Sequence, residues 1–311
     1  MDHYVPEESL ALETAPGFGV SSAERSAERN SEEEELIPLD TLQGQVAVEE
    51  QAWAGVRVIN FDETSRKKGH DYVTNFINGQ TGELLDVQVG KGAKAVEAFV
   101  KKALAKGLGP LQIEEVNIDM SAAFQKGAAA YFPNARINFD KFHVSALVSR
   151  ELDVFRKSQA RKLGKRLPKW PILKPVEHLS AQEYKDLYEA LEQLPELEQF
   201  HEHKNSFSNL WGFQDAAQGA AFLSFWVDRA AEMAQQFKSR KLQTLANTLN
   251  KHFEGIVNAL ISGNTNAVAE GMHSKMQAMK RTARGYKTFQ RFVQMIRVHC
   301  QGGWQYPTQF T

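Results

Sequence analysis

At 311 residues, with 42% hydrophobic and 24% charged residues, the chain has the make-up of a globular protein large enough for one big domain or two ordinary ones. It has no run of 18 apolar residues, no basic-then-apolar leader and a single cysteine, Cys300. These features exclude a transmembrane helix, a secretory signal, an internal disulfide framework and a multi-cysteine zinc site, and a reducing cytoplasm is the expected setting.

The net charge of −1 hides an asymmetry. Residues 1–60 carry 13 Asp and Glu against 3 Lys and Arg, leaving 25 of the 38 acids and 34 of the 37 bases for residues 61–311. A basic globular part behind an acidic leader suits a phosphate polymer as partner. Residues 1–54 read as that leader and as mostly disordered: Ser-Ala-Glu-Arg occurs twice, Glu32 to Glu35 come next, and large apolar side chains are scarce. Residues 36–39 (Leu-Ile-Pro-Leu) are predicted to dock on the globular domain.

From Val56 the texture changes. Residues 56–63 form a β-branched and aromatic run ending in Asp62 and Glu63, a buried strand whose carboxyl end opens into a ligand crevice. Residues 71–77 and 84–89 complete an antiparallel meander through an Asn-Gly turn. Residues 93–106 show helical spacing, 115–120 a fourth strand again ending in a carboxylate, Asp119, then 121–131 a short helix and 135–140 a fifth strand. The order β-β-β-α-β-α-β is that of an α/β, ribonuclease H-like mixed sheet, in which the first and fourth strands are neighbours. Asp62 and Asp119 are therefore expected side by side, with the first part of the core over residues 55–142.

Residues 143–262 carry no strand signal. Helical periodicity over 144–162, 181–194, 216–237 and 241–260, punctuated by Pro168, Pro171, Pro175 and Pro195, predicts a large all-helical insertion. Its start is strongly basic, with Arg156, Arg161, Lys162, Lys165 and Arg166 around Trp170; this reads either as a solvated face or as contact with a nucleic-acid backbone. Residues 263–300 return to the core as a C-terminal helix. Val268, Met272, Met276 and Met279 form its apolar stripe, Glu270 lies in its first turn, and Lys275, Lys280, Arg281 and Arg284 continue a positive face. Residues 301–311 are a tail.

Acids at two strand ends and a helix start can hold two hard divalent cations, Mg²⁺ or Mn²⁺, for in-line phosphoryl transfer on a polynucleotide. Around them the readings stay open. Asp140 is either a helix N-cap or a metal contact, His143 either a packed histidine or a ligand, and Glu63 either a second carboxylate behind the site or a solvated one. Lys67 and Lys68 are placed to touch phosphate near it.

Four motifs in order, over about residues 55–300, resemble bacterial insertion-sequence transposases of the ISL-three family. They are Phe61-Asp62-Glu63-Thr64-Ser65-Arg66-Lys67-Lys68-Gly69-His70, Asn117-Ile118-Asp119-Met120-Ser121, Asn138-Phe139-Asp140-Lys141-Phe142-His143-Val144, and Asn264-Thr265-Asn266-Ala267-Val268-Ala269-Glu270-Gly271 with Lys280-Arg281-Thr282-Ala283-Arg284. The resemblance implies a DDE-type recombinase with Asp62, Asp119 and Glu270 as catalytic, metal-holding triad, acting on terminal inverted repeats and target DNA as a homo-oligomer in the nucleoid. A truncated or regulatory DNA-binding remnant without activity and a related metal-dependent nuclease are the alternatives. Two departures stand out. The usual N-terminal zinc and helix-turn-helix modules are not recognisable in residues 1–50, and Asn60-Phe61 stands before Asp62 where the family more often has a small and an aliphatic residue.

Overall fold

The computed structural model describes residues 35–45, 48, 51–67, 70–262, 267–283 and 285–300, with backbone alone at 67, 70, 267–270 and 273. A short helix, α1 (Leu39–Gln45), precedes a five-stranded sheet of order β3-β2-β1-β4-β5. The strands are β1 (Val58–Lys67), β2 (His70–Asn78), β3 (Leu84–Val89), β4 (Glu115–Ile118) and β5 (Arg136–Phe139). β1, β2 and β3 pair antiparallel, while β4 and β5 extend the sheet in parallel from β1. Helices α2 (Ala93–Ala105) and α3 (Ala122–Tyr131) make the parallel crossovers. This is the mixed ribonuclease H-like sheet that the sequence predicts.

The strand period of two gives the sheet unlike faces. One carries Ile59, Phe61, Phe76, Val116 and Ile118, all buried against Phe99 and Val100 of α2 and Phe124 and Ala128 of α3. Phe76 stacks on Phe99 at 4.1 Å, and Phe61 meets Phe124 edge-on at 5.2 Å. Each such ring removes enough apolar surface from water to contribute about 2 kcal/mol. On the other face Val73, Ile77 and Val87 bury against Met272 and Met276 of α11 (Ala267–Thr282) and Phe292 and Ile296 of α12 (Phe289–Cys300). The Met stripe is therefore core. Residues 36–39 dock as expected: the Ile37 amide donates to Glu97 at 2.9 Å and the Tyr131 hydroxyl to the Ile37 carbonyl at 2.9 Å.

Between β5 and α11 the chain is helical: α4 (Lys141–Leu163), the single turn α5 (Trp170–Leu173), α6 (Ala181–Glu192), α7 (Pro195–Ser206), α8 (Ala216–Gln236), α9 (Arg240–Lys251) and α10 (Phe253–Ile261). Asp140 caps α4, and Gly164, at φ 62°, ends it. α10 returns to the sheet and covers its edge. Asn258 donates to the Ile137 carbonyl at 3.1 Å, and a Cβ on Gly255 would sit 2.5 Å from the Phe139 ring.

Four boundaries differ from the expectation. β1 does not end at Glu63 but runs to Lys67, because residues 64–67 pair with β2 rather than forming a turn. Pro195, read as a breaker, instead opens α7, where its missing N–H costs nothing. The helix expected over 241–260 breaks at His252, whose buried ring stands edge-on to Phe139 at 5.0 Å. The C-terminal helix is two, α11 and α12, with Gly285 between them at φ 103°.

α7 and α8 interlock through His203 and Trp226. The rings stack at 4.0 Å and the indole N–H donates to the His203 carbonyl at 2.9 Å. Burial lowers His203, and likewise the buried His201, from 6.5 to about 4. The unfolded chain therefore takes up protons first as pH falls, and stability present above pH 6.5 is lost progressively down to pH 4. At pH 5 the loss should reach up to about 2 kcal/mol per imidazole. Urea midpoints at pH 7 and 5 should differ, and the difference should shrink when His201 and His203 are both replaced by Asn; an equal fall in both proteins would contradict this.

Candidate active site

Strand register builds the site. Asn60 of β1 pairs with Asn117 of β4, and Asn117 with Asn138 of β5. Two residues on along each chain stand Asp62, Asp119 and Asp140, so the same face presents a row of carboxylates directly above a row of amides. Asp62 lies where β1 has left β4 and continues on β2 alone, opposite Asn75. Asp119 and Asp140 each come directly after the last residue of their strand.

Each carboxylate is steadied by a nearby backbone N–H. Asp62 accepts from Glu63 at 2.7 Å, Asp119 from Ser121 at 2.8 Å and Asp140 from Phe142 at 2.7 Å. The last contact makes Asp140 the N-cap of α4, one of its two predicted roles. All three line a cleft of about 590 Å³ together with Glu63, Phe142, His143, Ser274 and Met276. Phe142 is 66% exposed, an aromatic ring left at the edge of an acidic cleft, edge-on to His143 at 5.9 Å.

The cleft is electrostatically tense. Burial raises Asp119 above the ordinary carboxylate range, and Asp62 and Asp140 add to it, against the Ser121 N–H and His143. Glu63 is raised by burial and by Asp119 and Asp62, against Lys91 and His143. Oxygen donors crowded at this cost are the donor set of a hard divalent cation, whose charge would reverse these shifts.

Glu270 lies in the first turn of α11; its side chain is outside the described residues. Ser274, one turn further on the same helix face, lines the cleft. Among the described residues no three His, Cys, Asp or Glu side chains form a ready metal-binding group.

The basic residues sort into two groups. Arg161, Lys162, Lys165, Arg166, Lys275 and Arg281 are exposed. Two others turn inward, which corrects the expectation that Arg156 faces solvent or a nucleic-acid backbone and that Lys280 belongs to an open positive face. Arg156 is buried at the base of α4, bonded to Asp153 at 2.7 Å and to the Leu167 carbonyl at 2.9 Å. Half-buried Lys280 donates to the Ser65 carbonyl at 2.5 Å, tying α11 to β1. Lys68 and Arg284, and the side chain of Lys67, fall outside the described residues. Trp211 packs on Phe207 and donates to Ser145 at 2.9 Å, a structural role. Asn60, Asn75, Asn117 and Asn138 are given no role in the site by sequence, although Asn-x-Asp recurs at all three parallel strands.

The profile of a family described as Transposase, the ISL-three-type DDE family, matches residues 59–296. The transposase for insertion sequence element IS1001 of Bordetella parapertussis is 27% identical over 273 residues, covering 85% of this chain and 66% of that protein. The transposase for insertion sequence element IS1557 of Mycobacterium tuberculosis is 22% identical over 279 residues, covering 80% of this chain and 61% of that protein. The chain thus spans just under two thirds of the length of these relatives.

Removing Arg156 leaves Asp153 buried with only Lys157 beside it, at 2.7 Å. Arg156→Ala should destabilise the protein by about 3 kcal/mol, whereas Lys165→Ala and Arg166→Ala should shift the urea midpoint little. Equal effects would return Arg156 to the surface group.

Proposed function

This chain belongs to the ISL-three family of DDE transposases, and on that premise we propose that it cuts and rejoins DNA with Asp62, Asp119 and Glu270 as its catalytic carboxylates. The observation that carries the reading is the register that sets Asp62 and Asp119 side by side, facing a cleft that Ser274 of α11 also lines. The two Asp residues come from neighbouring parallel strands; Glu270 would approach from α11, one turn before Ser274.

Completed by Glu270, the oxygen-only donor set would suit Mg²⁺ or Mn²⁺, which when bound would supply Lewis-acid stabilisation of the entering and leaving oxygens of an in-line displacement. The residues of the chain do the rest. Backbone amides of Glu63, Ser121 and Phe142 hold one oxygen of each Asp, so the carboxylates meet substrate without first reorganising. Asp140 and His143 stand behind them, the histidine offsetting the negative field at Asp119 and Glu63. Exposed Lys275 and Arg281 on α11, and Arg161, Lys162, Lys165 and Arg166 at the end of α4 and just beyond it, would supply cations for phosphates. Such contacts orient the duplex and carry no base sequence, so choice of terminal inverted repeat and of target rests on other contacts. The protein would act on DNA as a homo-oligomer, in the cytoplasm at the nucleoid. No helix among the described residues is long and apolar enough to cross a membrane.

Single replacement of Asp62, Asp119 or Glu270 by Ala should reduce Mn²⁺-dependent nicking of plasmid DNA to background while duplex binding stays within about twofold, since phosphate contacts dominate affinity. Retained nicking in any one variant removes that residue from the triad. A parental chain that binds DNA but nicks none of it in Mg²⁺ or Mn²⁺ supports a regulatory DNA-binding protein instead, and cleavage without strand joining supports a nuclease.

Duplex affinity should also fall with salt by about 0.9 in log K per log salt for each phosphate neutralised. Reversing the charges of Lys162, Lys165 and Arg166 together should flatten that slope; an unchanged slope would mean that this surface faces solvent.

A further inference from the structure

We infer that a ladder of buried side-chain amides, Asn60–Asn117–Asn138, positions the carboxylates one layer above it; this deepens the reading of the site as metal-dependent and rests on it. The three residues are 5%, 7% and 1% exposed, on the neighbouring strands β1, β4 and β5. Asn117 donates to the Asn60 side-chain oxygen at 2.5 Å, and Asn138 to that of Asn117 at 2.8 Å and to Glu115 at 3.1 Å. Glu115 also accepts from Ser262 at 2.7 Å and from the Arg136 guanidinium. Ser262 is the last described residue before α11. One continuous run of polar contacts thus links the three strands that carry or lead into Asp62, Asp119 and Asp140 to Ser262.

A buried strand position normally takes Val or Ile, and Asn is depleted there. An amide buried without a partner costs about 1–3 kcal/mol. Here the Asn117 and Asn138 amide groups donate to the next side chain along, and only in this register, while the Asn138 side-chain oxygen is left buried without a partner. A slip of one residue would turn the asparagines into the layer of Phe61, Val116 and Ile118, where no partner exists. A polar network with an unpartnered buried oxygen adds little stability, so what the ladder supplies is alignment of the three strands. What it aligns is chemical: on each strand the residue two beyond the amide is the carboxylate. Asn75, opposite Asp62 and 2% exposed, continues the polar layer by donating to Thr64 at 2.9 Å.

The test is Mn²⁺ binding by the whole 311-residue chain, monitored through the electron-paramagnetic signal of the free ion, beside thermal unfolding without metal. Asn117→Val removes the middle rung and keeps a good strand former. It should melt within a few degrees of the parent yet bind Mn²⁺ roughly 10- to 100-fold more weakly, the usual effect of losing a group that orients metal ligands. A folded Asn117→Val chain with parental Mn²⁺ affinity overturns the ladder's role. Should that variant not fold, Ser262→Ala, which cuts the last link and leaves the sheet intact, decides by the same criterion, with about a threefold weakening expected. Failure of the parent to bind Mn²⁺ would sink the metal-dependent function and the ladder together. Parental binding that both variants match would sink the ladder alone.

Discussion

The alignment of three parallel strands is the constraint on which the site depends. Backbone pairing of β1 with β4 and of β4 with β5 sets Asn60, Asn117 and Asn138 on one level. Everything chemical derives from that level, because the side-chain period of two then lifts Asp62, Asp119 and Asp140 together on the same face. Stability comes from elsewhere. The opposite face, with Phe61, Phe76 and Val116 against α2 and α3, buries the rings and β-branched side chains that hold the sheet. The two faces differ in kind: one is apolar throughout against α2 and α3, while the other joins a second apolar cluster under α11 and α12 to the amides and acids of the site.

Much of this is legible in the chain alone. Three strands, helix, strand, helix, strand leave few topologies, and a right-handed crossover through α2 puts β4 beside β1, so the Asp62–Asp119 neighbourhood comes from order alone. The limits are just as physical. Thr64, Ser65 and Arg66 look like turn residues, yet they are strand because β2 offers partners out to His70. Arg156 sits in a run of like charge that reads as solvated; its partner Asp153 stands three residues earlier on the same helix face, but its burial depends on the loop at Leu167 folding back. Glu270 is suggested by its motif, and the backbone places it one turn before Ser274, a cleft residue. Asn-x-Asp stands three times in the sequence; its meaning needs the register. The Asn60 that departs from the family's usual pattern is the first rung of that ladder.

The charge distribution has the same logic at larger scale. Acids crowd the cleft, where burial and mutual repulsion raise Asp119 and Glu63. Exposed lysines and arginines lie on α11 and at the end of α4, not among the cleft-lining residues. Positive and negative potential are thus kept on separate parts of the surface rather than neutralising one another.

One contact at the sheet's edge bears on the position of a cleft residue. The helical block leaves the sheet through Asp140, the cap of α4, and touches it again where Gly255 of α10 sits against the Phe139 ring with no room for even a methyl group. Both attachments are to the end of the same strand, one residue apart. Any side chain larger than hydrogen at position 255 would therefore press on the ring that directly precedes a cleft carboxylate, so the packing of the helical block and the position of Asp140 are not independent.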